Sequence, residues 1–268
     1  MVTQKHLIFS ILLIAGLLSL FACQKEQTIS FKIMSYNIKH GVGNDAVLDL
    51  SRAASVINDQ KPDICGLQEI DYLCTRSDSV DQSRYLAERT NMKSTFGKFM
   101  DYQGGAYGMA TLTTNSVVKS TVLSLPDGLY EPRSAIVQEL ELAKGGQIVF
   151  VNVHFDWIGG DEGSASRLRQ AKALVDHLNS LTNPIVITGD FNCTPDSPTM
   201  RYFYDHGFQF ADKGEDNLSF QGEKKSEIDH VIYRGTSEQK IGLKSIRLLN
   251  EPIVSDHRPL VAELQITY

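Results

Sequence analysis

At 268 residues, with 42% hydrophobic and 22% charged side chains, the chain has globular composition and enough length for a sizeable core, which excludes a disordered or low-complexity polypeptide. Its 26 Lys plus Arg face 32 Asp plus Glu, a formal charge of -6 with no basic block, which argues against a protein held on long nucleic acid by charge alone.

Lys5 and His6 precede an apolar run, Leu7 to Ala22, interrupted only by Ser10, Gly16 and Ser19. The run is short for a membrane span and fits a signal peptide over residues 1–22. Its end, Leu20-Phe21-Ala22-Cys23, resembles a bacterial lipobox, whose Cys is diacylated and becomes the first mature residue. Cys23 is therefore the expected lipidation site, residues 23–30 a lipid-anchored spacer, and residues 31–268 the working domain. The expected location is the bacterial cell envelope, facing the periplasm or on the outer-membrane surface. An ordinary signal peptide or short anchor is the plainer alternative. With Cys23 lipidated, Cys65, Cys74 and Cys193 remain, an odd number without zinc spacing, and they read as structural.

Residues 31–37 alternate as a first strand with Asn37 at its tip. Val47, Leu50, Ala54 and Ile57 recur at spacings of three and four, which predicts an amphipathic helix over 46–58, stopped by Pro62 and Asp63. A second strand, 64–69, ends in Glu69, and a short helix fits within the polar stretch 78–90. Strands follow at 94–99, 107–113 and 117–125, then a pair at 133–142 and 148–155 joined at Gly145-Gly146. A helix is predicted over 164–181, with Leu168, Ala171, Leu174, Val175 and Leu178 on one face. A β-branched strand at 185–188, a short helix at 199–204 and strands at 228–233, 243–248 and 260–266 complete the chain. There is no internal repeat, and no linker divides the mature chain.

The β-branched strand runs into Gly189-Asp190-Phe191-Asn192. Ligand sites of α/β proteins gather outside such strand ends. The period of two places Asp190 and Asn192 on one face. A carboxylate accepts a proton and a carboxamide donates to an anionic oxygen, so the pair suits a base that activates water beside a group that holds phosphate. An acidic turn after a core strand explains these four residues equally well. Repetition raises the functional reading: Asn37, Glu69, His154, Asp190 with Asn192, and Asp229 with His230 all fall at strand ends or in adjoining loops, and Ser255-Asp256-His257 precedes the last strand.

Taken together, Tyr36-Asn37-Ile38, Gln68-Glu69, Asn152-Val153-His154, Gly189 to Asn192, Ile228-Asp229-His230 and Ser255-Asp256-His257 resemble the motifs of the endonuclease/exonuclease/phosphatase superfamily. Its members include DNase I-like nucleases, abasic-site endonucleases, sphingomyelinases and inositol polyphosphate 5-phosphatases. The matching motifs span residues 31–266 in the family's order. The resemblance implies an α/β (α+β) DNase I-like fold, a four-layer sandwich of two packed mixed β-sheets flanked by helices, with the site at one end. It also implies hydrolysis of a phosphoric ester with Mg²⁺ or Mn²⁺. Glu69, helped by Asn37, then holds the metal, and Asp256 touches it through water. Asp190 orients and deprotonates the attacking water, and Asn192 holds the phosphate. His257, oriented by Asp229, donates to a phosphoryl oxygen, and His154 binds phosphate or acts as an acid near the leaving group.

Arg167 and Gln170, one helical turn apart, are candidates to reach a leaving group, with a solvated helix face as the alternative. His230 follows Asp229 and points to the opposite face of its strand, so it reads as structural. Arg133 resembles a family position near the sheet edge and also reads as structural; Trp157 is expected to pack. Where abasic-site endonucleases carry Asn-x-Asp, this chain has Asn37-Ile38-Lys39, which counts against DNA repair.

The functional expectation is an exported, lipid-anchored, monomeric, Mg²⁺-dependent hydrolase of a small-molecule, lipid-headgroup or sugar phosphate ester, with nucleic acid disfavoured. A secreted metal-dependent nuclease is the enzymatic alternative. A binding lipoprotein that keeps the fold without the chemistry is the alternative of another class.

Overall fold

The alternating apolar runs of the sequence form twelve strands in this computed structural model, which describes residues 27–268. The expected signal peptide and Cys23 lie outside the described residues. In chain order the elements are β1 (Thr28–Asn37), α1 (Leu50–Gln60), β2 (Ile64–Tyr72), α2 (Gln82–Thr90), β3 (Lys93–Tyr102), β4 (Gly105–Thr113), β5 (Ser116–Leu125), β6 (Arg133–Glu141), β7 (Gln147–His154), α3 (Gly160–Leu178), β8 (Ile185–Asp190), α4 (Pro198–Asp205), β9 (Gln209–Phe210), β10 (Asp229–Arg234), β11 (Lys240–Leu248) and β12 (Leu260–Thr267).

The strands make two six-stranded sheets, ordered β11-β12-β1-β2-β4-β3 and β5-β6-β7-β8-β10-β9. Both are mixed: β1 with β2 and β7 with β8 are parallel, and the other pairs are antiparallel. The sheets pack face to face through Phe31, Ile33, Ile64, Phe150, Val186, Val231 and Leu260. α1 and α2 cover the first sheet through Leu50, Ile57 and Leu86 against Met34, Tyr36 and Leu67. α3 and α4 cover the second through Leu174, Val175 and Phe203 against Val151 and Ile187. The four-layer sandwich is thus present, and each fully buried Ile, Leu or Phe in it contributes about 1.5–3 kcal/mol.

Several boundaries differ from expectation. α1 starts at Leu50, where Asp49 caps it by accepting from Ser51 N, and residues 43–48 form a loop that leaves Val47 47% exposed. β2 continues to Tyr72, so Glu69 lies inside the strand and not at its end. Cys65, Cys74 and Cys193 are buried free thiols. Arg133 opens β6, the strand next to the edge strand β5, in keeping with the expected position near the sheet edge.

One consequence of the topology positions the site. β1, β2, β7 and β8 run toward one end of the sandwich, and β10 and β12 start from it. Their tips bring residues far apart in sequence to one surface.

Candidate active site

The inner faces of the strands change character along their length. At the base they are apolar, with Phe31 and Ile33 on β1, Phe150 on β7 and Val186 on β8. One level up, the same faces carry the fully buried polar side chains of Ser35, Gln68, Asn152 and Thr188. Gln68 Nε2 donates to Asn152 Oδ1 at 2.6 Å and to Ser35 Oγ at 3.3 Å. Asn152 Nδ2 donates to the carbonyls of Leu67 and Ala110 at 3.0 and 2.9 Å. Gly66 leaves room for this layer, because a Cβ there would lie 2.7 Å from Thr188 Oγ1. The next inner positions along the period of two are Asn37, His154, Asp190 and Asp229.

Asp190 Oδ2 is the hub of that upper layer. Asn37 Nδ2 donates to it at 3.2 Å, and His257 Nε2 and His154 Nε2 each lie 3.6 Å away. Its other oxygen, Oδ1, accepts from Asn192 N at 2.9 Å. His257 Nδ1 pairs with Asp229 Oδ2 at 2.8 Å. Ser255 Oγ donates to Asn37 O at 2.7 Å and accepts from His257 N at 3.2 Å, which fixes the loop carrying His257 to the tip of β1.

Glu69 reaches the cluster through a bulge. The β2–β4 register shifts between Gln68 and Ile70, and Glu69 adopts φ 56°. In a regular strand Glu69 would point away from Gln68, toward the helices; the bulge re-aims it at the site end. Its Oε1 accepts from Asn37 Nδ2 at 3.0 Å, and its Oε2 lies 3.7 Å from His40 Nδ1. His40, which carried no sequence signal, comes from a short turn after β1.

Burial and neighbouring charge separate the protonation states of these groups. Burial pushes the Asp190 carboxyl up, the Asp229 charge adds to this, and the His257 charge opposes it, for a pKa of about 7. Burial also disfavours charge on Asp229, but the His257 charge and hydrogen bond outweigh it and hold Asp229 below its usual value. Burial opposes protonation of His257 too, yet Asp229 and Asp190 raise it to about 10, so it is an imidazolium at neutral pH. Burial, then the Arg133 charge, pull His154 down to about 3, which leaves it neutral. Glu69 stays ionised at about 2, because the nearby His40 ring, the hydrogen bond from Asn37 and the charge of His257 overcome its burial.

Two groups of side chains are candidates for a divalent cation. Asp190, Asp229 and His257 offer ligand atoms within 4.8 Å of one another. A protonated His257 has no lone pair to give, and its Nδ1 is engaged by Asp229. Glu69 fits better. It is ionised, its side chain is 25% exposed, and its Oε2 makes no hydrogen bond. Asn37 Oδ1 accepts from Lys39 N at 3.1 Å, and turning the amide over would put that oxygen where its NH₂ now meets Glu69. An all-oxygen set with one carboxylate is the usual protein contribution to Mg²⁺.

The remaining expected site residues fall in different places. Asn192 lies beyond β8 in a turn with φ 51°, so its placement comes from that turn and not from a strand period; its Nδ2 donates to Phe155 O at 3.0 Å. Asp256 pairs with Lys39 Nζ at 3.2 Å on the rim, outside the buried cluster. Arg167 and Gln170 are not brought to the cluster. Both are buried in α3: Arg167 Nη1 donates to the carbonyls of Asp156 and Ile158, and Gln170 donates to Pro126 O and accepts from Asp156 N. They hold loops in place, which neither a leaving-group contact nor a solvated helix face describes. Trp157 does not pack; it is 57% exposed, three residues beyond His154. Buried His230 faces away from the cluster, with Nε2 2.7 Å from Cys193 O. Arg133 is buried, paired with Glu131 at 2.8 Å.

The sequence profile of the Endonuclease/Exonuclease/phosphatase family matches residues 34–257. A UPF0294 protein of Vibrio cholerae is 25% identical over 210 residues, covering 70% of each chain. A Beutenbergia cavernae protein described as endonuclease/exonuclease/phosphatase superposes with a TM-score of 0.74 at 20% identity, over 88% of this chain and 72% of that one. A mannosyl-6-phosphatase of Bacteroides thetaiotaomicron does so with a TM-score of 0.66 at 19% identity, over 87% of this chain and 99% of its own. At these identities the two structures speak for the fold.

Proposed function

This chain belongs to the Endonuclease/Exonuclease/phosphatase family, whose members are generally hydrolases of phosphate and phosphodiester bonds, and we propose that it is a divalent-metal-dependent hydrolase of small phosphoric esters, exported and anchored by lipid on Cys23. The observation that carries this reading is the arrangement around Asp190 Oδ2. A carboxylate with a pKa of about 7 stands 3.6 Å from an imidazolium that a second carboxylate keeps charged. A base is most effective when its pKa is near the working pH, so Asp190 takes the proton of the attacking water. His257, held charged and aimed by Asp229, donates to a phosphoryl oxygen as negative charge builds there. Neutral His154 supplies a hydrogen bond and not a proton from an imidazolium. Asn37 aligns the Asp190 and Glu69 carboxylates, and Asn192 has a second N–H for the phosphate. Mg²⁺ or Mn²⁺ held by Glu69, and by Asn37 once its amide turns over to face the ion with oxygen, would offset charge on the phosphate.

The acidic chain has no basic stripe, which favours small, sugar or lipid-headgroup phosphates over duplex nucleic acid. The test is a panel of phosphomonoesters, including mannose 6-phosphate, with phosphodiesters, phospholipids and plasmid DNA, each with Mg²⁺, Mn²⁺ or EDTA. The reading expects metal-dependent turnover of a small ester and little of DNA. Fast, salt-sensitive cleavage of plasmid would replace it with the nuclease reading.

A further inference from the structure

All the site residues lie at one end of the sandwich, and the chain enters at the other. β1 begins at Thr28, paired with Thr267 near the end of β12, and finishes at Asn37 in the site. Gln27 is fixed to that base as well, since its carbonyl accepts from Tyr268 N at 3.1 Å. The connection between Glu141 and Gln147 and that between Arg234 and Lys240 lie at the same end, because β7 and β11 start there and β6 and β10 finish there. The ten steps from Gln27 to Asn37 span about 33 Å at the rise of a strand. Only Gln24, Lys25 and Glu26 separate Cys23 from Gln27, a reach of at most about 14 Å when fully extended.

We infer that the lipid anchor and the catalytic mouth occupy opposite ends of the domain, so that the mouth cannot press face-on against the bilayer holding Cys23, and the substrate is a phosphate ester delivered from the aqueous side and not a headgroup of the anchoring leaflet. This rests on the proposed hydrolase and on lipidation at Cys23, and it narrows the substrate classes left open above. The tether is less than half the length of β1. It can let the domain lean, but it cannot turn the Asn37 end over onto the lipid surface. The exposed rim residue Trp157 accordingly meets water.

Trp157 is the one tryptophan of the chain, which makes the geometry measurable. The lipidated full-length protein is reconstituted in phosphatidylcholine vesicles containing a headgroup-dansylated lipid, and energy transfer from tryptophan to dansyl is recorded. The reference is a Ser237→Trp, Trp157→Phe double variant, whose probe sits in the exposed β10–β11 connection at the base. The inference expects weak transfer from Trp157, strong transfer from the Ser237 position, and a rise in Trp157 transfer when a long Gly/Ser insert after Cys23 frees the domain. Trp157 transfer equal to or above the reference overturns it. Mass spectrometry showing no lipid on Cys23 overturns it too, together with the anchor, while hydrolysis measured in solution is unaffected and reports separately on the enzyme reading.

Discussion

Replacing Asp190 with Asn separates catalysis from structure at the centre of the cluster. Asn keeps the size of the side chain, and its Oδ1 can still accept from Asn192 N, as Asp190 Oδ1 does at 2.9 Å. It cannot take a proton, so kcat should fall about 10²–10⁴-fold, or roughly 3–5 kcal/mol of barrier. Stability should move the other way. The carboxyl titrates near its ordinary 3.8 when unfolded and at about 7 when folded. The folded state therefore keeps a proton that the unfolded state releases, and wild-type stability falls as pH rises from 4 through 7 and then levels. Above pH 7 that cost is on the order of 4 kcal/mol, from about 1.36 kcal/mol per pKa unit. Asn removes it and introduces one NH₂-to-NH₂ contact with Asn37, a smaller cost that stays in place because turning the Asn37 amide over would set its oxygen against Glu69 Oε1. The melting temperature of the variant at pH 8 should equal or exceed that of the wild type, and its decline between pH 4 and 7 should be shallower. The assay is kcat and melting temperature on the same preparations. Wild-type turnover per folded molecule together with a lowered melting temperature would refute the assignment of Asp190 as base.

Three further outcomes follow from the same contacts. His257 is raised above its unfolded value, so its stabilising pair with Asp229 is fully present below pH 6.5 and lost as pH rises through about 10; Asp229→Asn should melt lower than wild type at pH 7, with the gap closing toward pH 10, and a gap that does not change with pH would show that the pair is not charged. Gly66→Ala forces a Cβ to within 2.7 Å of Thr188 Oγ1 and should cost about 1–3 kcal/mol in urea unfolding, whereas wild-type stability would contradict the tight polar layer. Cys23→Ser should shift the protein from the membrane fraction to the soluble fraction or leave it unprocessed, and unchanged membrane partitioning with normal processing would remove the lipid anchor.

The strands were legible because their inner faces alternate, as in Ile29, Phe31 and Ile33 on β1, and alternation survives without knowledge of the partner strand. The family was legible because its motifs sit at the tips of those strands. The local geometry at the tips was not. Nothing in Gln68-Glu69-Ile70 announces a left-handed residue, because no glycine marks the bulge; pairing with β4 imposes it. Arg167 and Gln170 looked free to reach a ligand, yet their partners are carbonyls of loops around 126 and 156–158, contacts that helical spacing cannot reveal. Trp157 reads as core by composition and is held outward by a loop whose anchor, Asp156, accepts from Leu129 N and Ile158 N. The two-residue β9 is too short for any periodic signal.

The most direct measurement is product release by the mature wild-type chain from p-nitrophenyl phosphate and bis(p-nitrophenyl) phosphate, made before chelation, after exhaustive treatment with EDTA, and after return of Mg²⁺ or Mn²⁺, with Glu69→Gln in parallel. The account predicts turnover of at least one ester, its loss on chelation, recovery with either ion, and a higher ion requirement for Glu69→Gln. Undiminished turnover after chelation, or equal ion requirements in the two proteins, would contradict it.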